Sequence, residues 1–544
     1  MSVFIGIDVG TGSARAGVFD ASGVLLGAAA CAIETVRPRP DFAQQSSADI
    51  WQAVTTAVRS AVATSGVTPE AVAGLGFDAT CSLVVTGKDD RPVSISPDGA
   101  ADQDVMLWMD HRAIADAQDI TRMGGSVLDH VGGVMSPEME LPKLRWLKRE
   151  LPASWAAAEH FWDLPDWLVY RATGSHLRSL CSPVCKWTYL GHHGLSGEGW
   201  DKAFLKKIGL DELVEAGAQS IGARFAAAGV RSGGLGVQAA TELGLVPGTA
   251  VSTALIDAYA GALGTLAVAD SSGETGLTGR LAVIAGTSTC HITLTDDPAF
   301  VPGVWGPYYS VLLDGLWANE GGQSAAGALI DHVIARHSAS VALDAMADER
   351  RPAELLDIHL ATMGEETAYL TRDRHVQPDF HGNRSPLAEP WRKGAITGLS
   401  LSGGLDDLAL DYLATQQALA YGTRHIIEAL RAQGVVIDTL VVSGGLARNA
   451  LYLREHADAT GCQVVVPAQS EPVLLGSAML GAAAAGTYAD IGEAMRAMSG
   501  TAHTITPRGG DIAAYHDAKY AVFRRMQDDY AAYAALMGAA GSSQ

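Results

Sequence analysis

The chain has 544 residues, of which 48% are hydrophobic and 18% charged, and its formal net charge is −22. That length exceeds what one hydrophobic core serves, so two or more large domains are expected, and the composition excludes a collagen-like or largely disordered chain. The acidic balance argues against a nucleic-acid backbone as partner, although backbone amides, Mg²⁺ and a few local cations still hold an anionic ligand such as a nucleotide.

The N-terminus enters a strand pattern at once, with no basic leader and no cleavage site. FIGIDVG and ARAGVFD predict two strands around a tight glycine turn, a β-hairpin whose first strand ends on Asp8. SADIWQAVTTAVRSAV predicts a helix capped by Ser47, with Trp51, Val54, Val58 and Val62 on one face. VAGLGFDATCSLVVTG predicts another pair of strands. From about 100 to 250 the texture changes to short helical patterns broken by prolines, holding seven of the eleven tryptophans, which predicts an insertion in the first domain. The apolar run VSTALIDAYAGALGTLAVA is interrupted by Asp257, Gly261 and Gly264, so it predicts a buried strand and helix and not a membrane span.

Then the opening theme returns. GRLAVIAGTSTCHITLTD is again strand, Gly-Thr-Ser turn, strand. LALDYLATQQALAYGTRHIIEAL predicts a long helix, and IDTLVVSGGLARNALYLREHAD a strand, glycine turn and helix. The repetition predicts a duplicated α/β domain, with the two hairpins facing each other across a cleft. The expected units are 1–268, 278–490 and a helical extension at 491–544, with the boundary near 265–279 and a frayed GAAGSSQ tail.

Gly10, Thr11, Gly12 and Ser13 supply backbone amides and short hydroxyl side chains, which a loop needs to wrap phosphate oxygens. One such loop is equally well an ordinary hairpin turn; a second, Gly286-Thr287-Ser288-Thr289, points to a phosphate chain held between two turns. No G-x-x-x-x-G-K-[ST] stretch is present, which excludes a P-loop, and no H-R-D or D-F-G set supports a protein kinase. The six cysteines are scattered, and Cys181 and Cys185 in CSPVC lack a second pair, so reduced thiols in a cytoplasmic protein are expected and zinc is not.

Asp8 with GTGSARAGVFD, GTSTC and SGGLARN together resemble the actin–hexokinase–Hsp70 ATPase superfamily. More narrowly, GFDATCSLVV, WMDHRA, KWTYL, IDAYAGALG, NEGGQSAAGALID and HGNRSPLAEP resemble, in order, the FGGY carbohydrate kinases, nearest the ribulokinase branch and its D-ribulose-type members. The resemblance implies two actin-like (ribonuclease H-like) α/β domains flanking a deep cleft, and transfer of the ATP γ-phosphoryl to a ketopentose. It implies Asp257 as general base and Asp8 as the carboxylate that holds hydrated Mg²⁺. Thr11, Gly12, Ser13, Gly286 and Thr287 match the phosphate loops; Gln323, Gly444, Gly445 and Asn449 fall on the nucleotide side. Asp78, Thr80, Cys81, Ser82, Glu138, Lys186 and Glu320 fall, with Asp257, on the sugar side. Asp257 and Glu138 are each also readable as helix caps, and Lys186 as a surface lysine. The expected partners are a small sugar and ATP, with no nucleic acid and no membrane, and a homodimer is left open. L-ribulose or a pentitol such as ribitol is the alternative acceptor, and an actin- or Hsp70-like ATPase acting on a protein partner is the distant rival.

Overall fold

The computed structural model describes residues 2–541 apart from 216, 270–272, 274–275, 347–349 and 365. The predicted boundary at 265–279 therefore falls partly outside the described residues. The last helix, Asp511–Gly541, runs into the tail that was expected to fray from Gly538, and 542–544 are not described.

Each half is built on a seven-stranded sheet among the described residues, and the two sheets repeat one pairing pattern. In the first, Leu25–Ala32, Ser13–Asp20, Val3–Val9, Val72–Ala79, Ala250–Ser252 and Arg231–Gly234 lie side by side. In the second, the same succession is Trp317–Gln323, Thr289–Thr295, Arg280–Ala285, Thr439–Ser443, Gln463–Pro467 and Ala502–Ile505. Both run antiparallel, antiparallel, parallel, parallel, antiparallel. The innermost parallel strands are covered on both faces and read as continuous apolar runs, as Val3–Val9 and Thr439–Ser443 do, every residue buried.

Four local expectations change. Ser46, not Ser47, caps the helix Ser47–Ser65; the Ser47 hydroxyl instead donates to the buried Asp104 carboxylate at 2.5 Å. The strands Val72–Ala79 and Leu83–Gly87 are consecutive but belong to different sheets, the second pairing with Ala158–Asp163. The segment 100–250 is not wholly an insertion, because Arg231–Gly234 and the start of Ala250–Ser252 form the edge of the first sheet. The extension after 490 likewise supplies the edge strand Ala502–Ile505 to the second sheet. Among the described residues no helix is long and apolar enough to cross a membrane.

Two helices join the halves. Asp257–Leu266 leaves the first half and packs on the central strands of the second sheet, while Pro472–Ala484 leaves the second half and lies on Val3–Val9 and Val72–Ala79. They also cross each other, and glycine makes the crossing possible. A Cβ on Gly264 would sit 2.0 Å from the Pro472 carbonyl oxygen, and one on Gly76 would sit 1.9 Å from that of Ser477. Helix backbone thus lies directly on strand backbone.

Gly76→Ala should therefore lower the thermal unfolding midpoint, at a cost of at least about 1–3 kcal/mol for forcing an overpacked contact. Gly509→Ala, where an added Cβ meets nothing within 4 Å, should leave it unchanged. Equal midpoints in calorimetry would contradict the close-packed crossing.

Candidate active site

Ligands of open α/β sheets bind beyond the carboxyl ends of the parallel strands. At that edge of the first sheet Asp8 and Asp78 stand side by side in register, and Leu255, two residues before Asp257, pairs with Asp78. Asp8 accepts the Arg15 Nε–H at 2.8 Å, and the same guanidinium reaches Glu471 in the other half at 3.0 Å. Asp78 is fully buried; its Oδ2 accepts the Ser477 hydroxyl at 2.5 Å, and its Oδ1 has no partner among the described residues. Burial first, and then the Asp8 charge, push the Asp78 carboxyl well above the usual range. Asp257 begins the helix Asp257–Leu266, accepts the Ala258 N–H at 2.7 Å and stays half-buried. Burial and Asp8 raise it to about 6.

This arrangement is short of positive charge. No three His, Cys, Asp or Glu side chains among the described residues are close enough to cage a bare metal ion. Mg²⁺ keeps most of its waters and needs one or two carboxylates, so Asp8 beside the orphaned Asp78 oxygen fits a hydrated ion.

A second cluster has the opposite balance. Lys186, at the end of the short helix Cys181–Lys186, is buried, with Nζ 3.8 Å from Glu320 Oε2. Glu320 also accepts Arg384 Nη2 at 2.5 Å. Lys186 Nζ and Arg384 Cζ lie 4.1 and 4.3 Å from the Trp305 ring centroid. Burial alone would make Lys186 easier to deprotonate; Glu320 and Cys81 outweigh it, so the ammonium persists. Burial raises the neighbouring Cys81 thiol well above its ordinary value, which leaves it an inert wall. Glu138 is half-buried, and its charge acts on Arg384; the helix that follows is capped at Met139, so Glu138 is no cap. Thr80 and Ser82 hydroxyls share a hydrogen bond of 3.0 Å, and Ser82 accepts the Trp108 backbone N–H.

Each turn is closed by its first glycine, over three residues in the first and two in the second. Gly10 N–H donates to the Ser13 carbonyl at 3.0 Å, and Gly286 N–H to that of Ser288 at 2.9 Å. Gly12 and Thr287 are exposed, Ser13 and Gly286 half so, and Thr11 Oγ1 accepts the Trp108 indole N–H at 3.0 Å. Gly444 and Gly445 are exposed at the end of Thr439–Ser443. Two residues expected beside them are engaged within the fold. Asn449 caps the next helix by accepting from Tyr452 N and donates to the Tyr412 hydroxyl, and Gln323 donates to the Leu419 carbonyl.

Sequence reading assigned no role to Arg15, Trp108, Trp305 or Arg384. Arg15 and Arg384 lie inside segments it had already singled out, GTGSARAGVFD and HGNRSPLAEP, so position was signalled and role was not. Nothing local distinguished Trp305 from the other tryptophans. Arg384→Ala would leave Glu320 buried with one cation 3.8 Å away, and should cost roughly 3–5 kcal/mol in urea unfolding. The Arg384→Ala/Glu320→Ala double variant should lose clearly less than the sum of the singles; strict additivity would mean the pair is not coupled.

Comparison with known proteins agrees with this geometry. Residues 3–264 match the N-terminal domain of the FGGY family of carbohydrate kinases, and 281–485 its C-terminal domain. A human FGGY carbohydrate kinase domain-containing protein is 47% identical over 547 aligned residues, covering 98% of each chain. The Saccharomyces cerevisiae protein named D-ribulokinase YDR109C is 42% identical over 93% of this chain and 75% of its own. The solved xylulose kinase of Rhodospirillum rubrum superposes with a TM-score of 0.77 at 21% identity, over 98% of this chain and 99% of that one, which speaks for the fold. With two matched halves, each carrying its own hairpin turn at the edge of its sheet, the chain belongs to the FGGY carbohydrate kinases, phosphotransferases that use ATP to phosphorylate a sugar.

Proposed function

We propose that this kinase phosphorylates the terminal C5 hydroxyl of D-ribulose, with L-ribulose or a pentitol such as ribitol as the alternative acceptor. One observation carries the reading: Asp257, a carboxylate raised to about 6, lies close enough to the neighbouring Lys186–Glu320 pair to feel both charges. The chain-long similarity to a protein named D-ribulokinase adds support.

In this reading Asp257 accepts the proton of the attacking hydroxyl. Ionised at neutral pH yet more basic than an ordinary aspartate, it suits that task. Lys186 donates to oxygens of the ketose, while Glu320 and Glu138 accept from its hydroxyls. Asp78 offers its unpartnered oxygen, and Thr80, Cys81 and Ser82 form the wall beside it. Thr11, Gly12, Ser13, Gly286 and Thr287 hold the phosphates through amides and hydroxyls. Gly444 and Gly445 leave room for the adenosine, which Gln323 and Asn449 support through the contacts described above. Asp8 would hold hydrated Mg²⁺, which would supply charge neutralisation at the phosphates, and Arg15 donates to the same carboxylate. The rate gain then comes from positioning and charge neutralisation, with closure of the halves excluding water. A cytoplasmic enzyme is consistent with the reduced thiols.

Asp257→Asn should lower kcat by about 10²–10⁴-fold with ATP affinity nearly unchanged. For the same reason the wild-type kcat/KM should fall with a one-proton slope at or below about pH 6, since a raised carboxyl loses its base form as pH drops and a bound cation shifts that limb downward. Near-normal turnover of the variant removes Asp257 from the mechanism.

Substrate choice is tested by kcat/KM for D-ribulose, L-ribulose, D-xylulose, ribitol and glycerol, in wild type and Lys186→Ala. D-ribulose should lead, and the substitution should compress the ratios, because a site that hydrogen-bonds a hydroxyl rejects analogues lacking it by up to about 10⁴–10⁵-fold. If glycerol or a pentitol leads, or the ratios do not move, the ribulose assignment fails and the sugar kinase remains.

A further inference from the structure

Outside the cleft, a pocket of about 280 Å³ is lined by His160, His176, Arg178, Gln219, Arg224 and the Gly222–Ala223 backbone. His160 lies on the strand Ala158–Asp163. Arg178 is buried and held rigidly: Nη1 donates to the Phe161 carbonyl at 2.8 Å, Nη2 to that of Ser220 at 3.1 Å, and Cζ lies 4.2 Å from the Trp162 ring centroid. A guanidinium has five N–H groups, so donors remain for a ligand. The His160 and His176 rings are 5.2 Å apart, and His160 Nδ1 is buried with no partner among the described residues.

Nitrogen-bearing side chains gather at this pocket in a chain of net charge −22. His160, His176, Arg178 and Arg224 converge, and the acidic groups that act on them are Asp90 by the two histidines and Asp163 and Asp166 behind Arg178. Burial lowers both histidines, and Arg178 lowers them further, so the cluster resists its own charging. Burial likewise pulls Arg178 down to about 10 against the two aspartates. An anion would relieve all of these at once. The volume falls at the lower end of small-molecule sites, about 300–1,000 Å³, and suits a compact ligand better than a nucleotide.

We propose that this pocket binds a small phosphorylated molecule, its phosphate held by Arg178, Arg224 and the two histidines, as a site separate from the sugar and ATP cleft. The inference does not depend on which sugar the kinase uses. Sulfate is the first probe, because it stays dianionic across the pH range in which histidine titrates. Titration calorimetry on the full chain should show saturable sulfate binding that tightens from pH 8 to pH 6, as the bound anion draws protons onto the histidines and Asp166, raised to about 7 by burial, loses its charge behind Arg178. The His176→Ala/Arg224→Ala double variant, altered only at exposed side chains, should weaken it about tenfold or more while ATP affinity is unchanged. Inorganic phosphate and ribose 5-phosphate separate the two sources of the group: a preference for the sugar phosphate identifies a metabolite site, and equal affinity a free-phosphate site. An isotherm that the double variant leaves unaltered, or no binding of any of the three probes at millimolar concentration, overturns the proposal.

Discussion

The contact of helix backbone with strand backbone is the constraint on which the rest of this enzyme depends. Pro472–Ala484 lies on the central strands of the first sheet with its carbonyl oxygens where Gly6, Gly74 and Gly76 carry no side chain. Any larger residue would push the helix away by the width of a methyl group. Because the helix belongs in sequence to the second half, the approach fixes the two sheets relative to each other. It is also why Ser477 reaches Asp78 and Glu471 reaches Arg15 across the two halves. The site is assembled by this packing, and its charges are held in register by it.

Within the cleft, desolvation acts on two clusters with different outcomes. The carboxylates at the strand ends have one guanidinium among them, and burial, with the Asp8 charge, raises both Asp78 and Asp257. That deficit of positive charge suits a place where a metal ion and a phosphate chain arrive together. At Glu320 the imbalance is reversed: Lys186 and Arg384 both serve one carboxylate and share the face of Trp305. A buried pair of this kind adds little net stability against an apolar equivalent, because burying its charges costs about what their attraction returns. In the proposed function it serves as a rigid array of donors and acceptors for a polyhydroxylated molecule.

The sequence by itself determined the elements and their repetition. Alternation and turn chemistry are local, so FIGIDVG–GTGS–ARAGVFD and its echo at GRLAVIAGTSTC were legible as hairpins, and the long helix Leu405–Arg431 as a helix. Motif order likewise carried the family and the sites where Asp8, Asp257, Lys186 and Glu320 stand. What the tertiary structure alone decided were contacts between residues distant in the chain. That the Asn449 amide donates to the Tyr412 hydroxyl, and that Arg384 belongs with Glu320, are contacts across 37 and 64 residues. The edge strands Arg231–Gly234 and Ala502–Ile505 were hidden for the same reason, being short and recruited by sheets formed elsewhere. Local pattern specifies which way a side chain faces along its own strand or helix; how deeply it is buried and which charge it meets there are set by packing, and burial first, then Asp8, raise Asp257.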